Sequence, residues 1–300
     1  MRIRFTGAIV ALAGAAVVTL AVMPIAGQAP QGGRAGGRGA GAPAAPAAAA
    51  PAAQAPRPAA AARPARIAGH PNMNGIWQAM GTAYWNLEDH SASATQFWQL
   101  GAIGAIPAGQ SVIVDPANGV IPYTPAALKQ RDANRAGWPK SDPEAKCYMA
   151  GIPRSNYMPY PFQIVQGQKD ILFVYEYASS NRIVHMSNHT EAPVDSWMGW
   201  SNGKWDGDTL AITVNGFNDS TWFDRSGNHH TESLTVDERF TLQGDNVLIY
   251  EATMTDPKTF TRPWKIRMPL YRRLEPNVQL LEFKCVEFSE ELLYGDLKKK

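Results

Sequence analysis

Four charged residues stand where apolar ones belong. In an extended segment alternate side chains face opposite ways, so over Ser233–Leu242 the residues Leu234, Val236, Glu238, Phe240 and Leu242 share one face. The same parity puts Arg272 in line with Trp264, Ile266, Met268, Leu270 and Leu274. Glu176 falls in line with Leu172 and Val174, and Arg182 with Val184 and Met186. A carboxylate in an apolar row is either paired with a cation or raised in pKa. Two readings follow. One is a set of buried salt bridges that fix the fold, with Arg272 capping Trp77. The other is a polar cluster in a cavity that orients a ligand or moves a proton. For the second reading, the ligand contacts are Glu176, Arg182, Trp222, Glu238 and Arg272. The groups suited to proton transfer or to stabilising negative charge are Glu238, His230, Asp219 and Arg239.

A second concentration of chemistry lies in Gly216–Glu232, which holds Asn218, Asp219, Thr221, Trp222, Asp224, His229 and His230. Long loops tend to be functional, and this one reads as a lid or rim. His229 or His230 with Asp219 or Asp224 could supply a general base or a metal ligand. Adjacent histidines on extended chain point opposite ways, so at most one faces a given site. The competing reading is turn hydrogen bonding within the loop. Spacing demands no metal site, and no phosphate loop, dinucleotide fingerprint, nucleophile elbow, haem-attachment motif or EF-hand occurs. We therefore expect neither metal nor cofactor.

These residues must be positioned by strands. Short β-rich runs divided by Gly, Asn, Asp and Pro occur at Phe162–Gln166, Ile171–Tyr177, Arg182–Met186, Thr209–Val214, Ser233–Leu242, Val247–Thr255, Trp264–Leu274 and Leu280–Phe288. Asp206-Gly207 and Gly244-Asp245 are hairpin turns. The spacing predicts an all-β, antiparallel up-and-down barrel or a related sandwich, with helices at Pro125–Arg135 behind the N-cap Thr124 and at Ser289–Tyr294. The proline-rich Gly151–Phe162 reads as an ordered loop packed over an edge or mouth. Cys147 and Cys285, far apart and without metal spacing, predict one disulfide, with two buried thiols as the alternative.

Asn74-Gly75-Ile76-Trp77 resembles the Gly-x-Trp opening of lipocalin-type barrels. That resemblance implies a Trp closing the barrel floor, often under a C-terminal Arg. The chain departs from that family in its long 80–160 region. Over nearly all of its folded part it is also similar to a group of exported bacterial proteins of acidobacterial type. The matching residues are Gly151-Ile152-Pro153-Arg154, Met158-Pro159-Tyr160-Pro161-Phe162, Trp205-Asp206-Gly207-Asp208-Thr209-Leu210, Gly216-Phe217-Asn218-Asp219, Thr221-Trp222 and Glu238-Arg239. This second resemblance implies a compartment and a fold, and no chemistry.

The rest of the chain sets the context. Arg2 and Arg4 precede an uncharged apolar run, Phe5–Met23, that Pro24 and small residues end. Residues 1–27 are the layout of a secretory signal peptide, with an uncleaved anchor as the alternative. Residues 28–69, rich in Ala, Pro and Gly, read as a disordered tether, and residues 70–300 as one barrel domain. From His70 onward 21 basic residues face 26 acidic ones, so the formal +2 of the chain hides a folded part at −5. That excludes a basic nucleic-acid-binding domain. The expectation is a periplasmic or secreted protein holding a small, largely apolar molecule in a barrel cavity, without stable membrane insertion once the signal is cleaved. Two alternatives stand beside it: a cofactor-independent isomerase, cyclase or hydrolase on the same barrel, and a tethered interaction module without ligand.

Overall fold

The computed structural model describes residues 64–95 and 104–297, all within the compact unit 60–300. The expected signal peptide and nearly all of the tether lie outside the described residues. Two minimal hairpins come early: β1 (Arg66–Ile67) with β2 (His70–Pro71), and β4 (Ser93–Ala94) with β5 (Ala105–Ile106). Between them runs β3 (Gly75–Ala79), and after them β6 (Ile113–Asp115) and helix α1 (Pro125–Gly137). Then follow β7 (Phe162–Gln166), β8 (Asp170–Tyr175), β9 (Asn181–His185), β10 (Trp200–Asp206), β11 (Thr209–Asn215), β12 (Thr235–Leu242), β13 (Val247–Thr255), β14 (Trp264–Arg272) and the short helix α2 (Ser289–Tyr294).

Nine of these strands close into a barrel in the order β3-β7-β8-β9-β10-β11-β12-β13-β14, with β14 returning to β3. One edge of β14 belongs to β13. The other is shared by β3, at Leu270–Arg272, and β6, at Lys265 and Ile266. The pairing is antiparallel except at β9 and β10, which run parallel with Ser201 opposite Val184. A tight hairpin cannot join parallel strands, so residues 186–199 carry the chain back along the barrel. This is where the fold departs from a pure up-and-down meander. The predicted turn after β10 is present, with Gly207 at φ +59 in the left-handed region that favours glycine. Helix α1 begins as predicted, the Thr124 hydroxyl accepting from the Ala127 N–H at 3.3 Å.

The inward face follows the strand period. Val236, Glu238 and Phe240 of β12 are buried, as are Leu248, Tyr250, Ala252 and Met254 of β13 and Trp264, Ile266, Met268 and Leu270 of β14. Each large apolar side chain so enclosed contributes roughly 1.5–3 kcal/mol. One end of the barrel is floored by Trp77, whose indole donates to the Met73 carbonyl at 2.9 Å. The Arg272 guanidinium lies 4.0 Å from the Trp77 ring centroid and donates to the Asn74 carbonyl. A Cβ on Gly75 would collide with that guanidinium, so glycine is what lets the arginine settle there. At the other end Phe223 and Phe260 pack edge-on against Trp264, and the loop that carries Phe223 plugs the mouth.

Two expectations need correction. Leu280–Phe288 forms no strand. A closed ring has no free edge, and both edges of β14 are already occupied. The segment instead runs over the outside as a strap, fastened by the Cys147–Cys285 disulfide across 138 residues. Glu176 does not face inward. The buried face of β8 is Ile171, Phe173 and Tyr175. Because this strand is apolar on both faces, alternation alone could not say which side was core.

Candidate functional site

Among the described residues the barrel interior holds one ion pair. Arg182 Nη1 donates to Glu238 Oε2 at 2.6 Å, with both side chains essentially excluded from solvent. Glu238 Oε1 accepts from Asn156 Nδ2 at 2.7 Å and from the Tyr250 hydroxyl at 2.8 Å. The Tyr175 hydroxyl donates to Asn156 Oδ1 at 2.9 Å. The Arg182 guanidinium also lies over the Phe173 ring, 4.6 Å from its centroid. Burial acts to lower the Arg182 pKa, and Glu238 more than reverses it, leaving the guanidinium more basic than usual. Burial raises both tyrosines well out of reach of physiological pH. Asn156 arrives on a 3-10 turn, Arg154–Asn156, whose three residues are all buried. The loop Gly151–Phe162 therefore inserts into the mouth and does not merely cover it.

This cluster has no room for a ligand. Glu238, Phe240, Tyr250 and Phe173 are each at most 1 % exposed, so no water-sized void opens onto them. The expected cavity is filled by side chains. Of the five ligand-contact candidates, Arg182 and Glu238 meet each other. Arg272 is at the barrel floor. Glu176 is outside and accepts from the Leu281 N–H at 2.8 Å. Trp222 is buried in the mouth loop.

The catalytic candidates are equally dispersed. His230 Nδ1 pairs with the Thr231 carbonyl at 2.9 Å, which makes that nitrogen the donor. Its Nε2 accepts from the Thr221 hydroxyl at 2.6 Å. Burial lowers the His230 pKa and keeps the imidazole neutral. The geometry is that of a hydroxyl facing a base, but both partners are buried, with the imidazole packed against Phe217 and Phe223. Asp219 sits on the exposed rim of the loop, with its Oδ1 accepting from the Ser220 hydroxyl. Arg239 is on the outer face of β12, paired with Asp206 at 2.8 Å. Among the described residues no group of three or more His, Cys, Asp or Glu is arranged to hold a metal ion.

A second charge network lies outside the barrel. Arg154 holds Asp142 through both terminal nitrogens, at 3.0 and 3.1 Å, and reaches Glu144 at 2.6 Å. Glu144 is gripped from its other side by Arg225, at 2.8 and 2.6 Å. Burial works against the Glu144 charge, but the two guanidinium groups win and lower its pKa to about 2. Asp224, one residue from Arg225, accepts from the N–H groups of Leu87 and Ser226 and from the Asn228 side chain. Burial nevertheless raises it to about 6. Arg225 also stacks on Trp85, 4.4 Å from the ring centroid.

Beside this network there is open volume. One lobe, about 200 Å³, lies under the strap and is bounded by Trp138, Tyr160, Tyr177, Phe283, Val286 and Phe288. A second, about 280 Å³, is lined by Trp85, Asn86, Ser91, Ser93 and Arg135. Trp138 and Arg225 line both lobes. A third hollow, about 570 Å³, lies near β2 and β10. Its single indole, Trp205, is already covered by His70 stacked at 4.5 Å. Asp142, Glu144, Arg154 and Arg225 carry no periodicity or motif in the sequence that marks them as a site. The available signal is Arg154 in a loop with three prolines, Pro153, Pro159 and Pro161, a setting that orders a chain without ladder hydrogen bonds.

No protein-family model matches this chain, and no curated protein is similar to it. What the geometry defines is a closed, mostly antiparallel nine-stranded barrel with a filled interior, a disulfide-fastened strap and an aromatic cleft outside the wall.

Proposed function

We propose that the chain is an exported binding protein in which the barrel is a rigid scaffold and a small, largely apolar ligand sits outside it, beneath the C-terminal strap. One observation carries this reading: Trp138, Tyr160, Tyr177, Phe283 and Phe288 line unfilled space, while the interior rings are buried against other side chains. Aromatic walls with a few fixed polar groups are the usual chemistry of a small-molecule site. The network beneath supports the site by holding those walls. Glu144 joins Arg154 of the inserted loop to Arg225 of the mouth loop, and the Tyr177 hydroxyl donates to the Tyr148 carbonyl at 3.1 Å. The disulfide that fastens the strap fits an oxidising compartment, and among the described residues no helix is long and apolar enough to cross a membrane.

The test is binding of a neutral apolar fluorophore, N-phenyl-1-naphthylamine, to the purified chain. Trp138→Ala and Phe283→Ala should each weaken binding about tenfold, the cost of losing one buried ring contact. Val194→Ala, at an exposed apolar residue away from the cleft, should leave binding unchanged. Equal binding by all three variants would overturn the proposal.

A further inference from the structure

The second lobe differs from the first in chemistry, and the difference identifies a ligand class. No carboxylate is among the described residues that line it. Arg225 is committed to Glu144 and stacked on Trp85, so it is a wall and not an anchor. Arg135, in the last turn of α1, is exposed, and its guanidinium makes no hydrogen bond or ion pair with any described residue. Among the described Lys and Arg side chains that line the two lobes it is the one without an ion pair, since Arg225 holds Glu144 and Lys284 pairs with Glu282 at 2.7 Å. Ser91 and Ser93 are likewise exposed, and their hydroxyls have no partner among the described residues. The floor is two indoles, Trp85 and Trp138, with centroids 5.7 Å apart and planes at 59°.

We infer that this lobe takes an acidic sugar, a pyranose ring bearing a carboxylate or sulfate. Arg135 pairs with the acid group, Ser91 and Ser93 exchange hydrogen bonds with ring hydroxyls, and the C–H face of the ring lies on the indoles. Each part of the lining has a matching part in such a ligand. A guanidinium presents donors in a fork that fits a carboxylate or sulfate. Free hydroxyls both donate and accept, as sugar hydroxyls do. A purely apolar ligand would leave the hydroxyls and the guanidinium desolvated without compensation. A neutral sugar would leave Arg135 unmatched. The folded part is acidic overall, with 21 basic residues against 26 acidic ones from His70 onward. Its general field repels an anion, so attraction here must come from the local arginine and must weaken with salt.

This inference rests on the reading of the outer cleft as the binding face, and the test separates the two. Calorimetric titration of the purified chain uses three probes: a glucuronide oligosaccharide, the matching neutral gluco-oligosaccharide, and benzoate. The glucuronide should bind, the neutral sugar about tenfold more weakly, and benzoate no better than the neutral sugar. Arg135→Ala should lose that tenfold preference, Arg135→Lys should keep part of it, and neither should change binding of the apolar fluorophore. Fluorophore binding with no glucuronide binding overturns the sugar inference and leaves the proposed function standing. Failure of both probes overturns both. Equal affinity for charged and neutral sugars, or preference for benzoate, overturns the assignment of Arg135 to an acidic sugar. Arg135 is exposed on a helix surface, so its substitution does not threaten the fold.

Discussion

Among the described residues, buried ion pairs lie in two places and are used differently. Inside the barrel, Arg182 and Glu238 form a pair enclosed on all sides by Phe173, Tyr175, Asn156 and Tyr250. Outside it, Arg154, Asp142, Glu144 and Arg225 form a chain of pairs with one flank against solid protein and the other against open volume. Perturbed, buried charge marks a functional site only when something can reach it. The interior pair is buried and charged, and nothing can reach it. The outer network meets that condition.

The largest effect should come from breaking the interior pair. Glu238→Leu leaves Arg182 buried without a counter-charge and should cost roughly 3–5 kcal/mol in denaturant unfolding. Pairing it with Arg182→Met should recover most of that loss, since two apolar side chains of similar volume suit the same space. Neither change should alter fluorophore binding to folded protein. A double variant as unstable as the single one would mean that the pair contributes net stability. Loss of ligand binding in the stable double variant would erase the distinction between the two regions.

The disulfide comes next. Removing it with Cys147→Ser and Cys285→Ser should cost roughly 2–4 kcal/mol, less than the chain-entropy value of about 5 for so long a loop. The consequence is directional. The strap residues Phe283 and Phe288 are partly buried beside Leu281 and Val286, which are exposed, so little apolar contact remains once the covalent tie is gone. The cleft should therefore lose its roof and the fluorophore its site, while barrel circular dichroism stays native. Intact binding after reduction would show that the strap holds without the bond.

The third effect reads out as pH dependence, and the two carboxylates of the outer region have opposite signs. Asp224 is raised to about 6 from 3.8, so its contribution to stability is fully present below the unfolded value and is lost as pH rises through 6. Glu144 is lowered to about 2 from 4.5, so its contribution is present above 4.5 and is lost as pH falls toward 2. Together they predict a stability maximum between about pH 4 and 5 from this pair, with a decline of roughly 2–3 kcal/mol toward neutrality. Asp224→Asn should flatten the limb between pH 4 and 6, and Glu144→Gln should flatten the limb below 4.5. A wild-type profile that rises from pH 4 to 7 and is unchanged by Asp224→Asn would contradict the assignment.

Strand alternation made the interior legible. Val236, Glu238 and Phe240 share a face because the period is two, and the same arithmetic aligned Arg182 with Val184 and Arg272 with Leu270. It failed at Glu176, where both faces of β8 are apolar, and at Leu280–Phe288, where β propensity was real but a closed ring left no edge. The parallel pair β9 and β10 was invisible because turn chemistry reports tight connections and says nothing of long returns. The outer network was illegible for a different reason. Asp142, Glu144, Arg154 and Arg225 lie on loops and 3-10 turns with no repeat period, and only the folded chain brings residues 81 positions apart to 2.6 Å. The −5 of the folded part likewise said nothing of which few charges would be enclosed.

The smallest expected effect is the sharpest contrast. Glu238 and Arg239 are neighbours on one strand, each in an ion pair of 2.6–2.8 Å, and they differ only in the face they occupy. Arg239 and its partner Asp206 have side chains 44 % and 59 % exposed. Water and ions screen such a pair, and fixing two long side chains costs entropy that offsets the attraction. Arg239→Ala should therefore change stability by at most about 1 kcal/mol, and the difference from wild type should vanish in concentrated salt. Had Arg239 served a reaction with Glu238, the two would have to reach one substrate, which opposite faces of a barrel wall forbid. If Arg239→Ala destabilised the protein as much as Glu238→Leu, and did so equally in high salt, enclosure would not be what separates the two charges. The contrast between a filled interior and a usable exterior would then lose its physical basis.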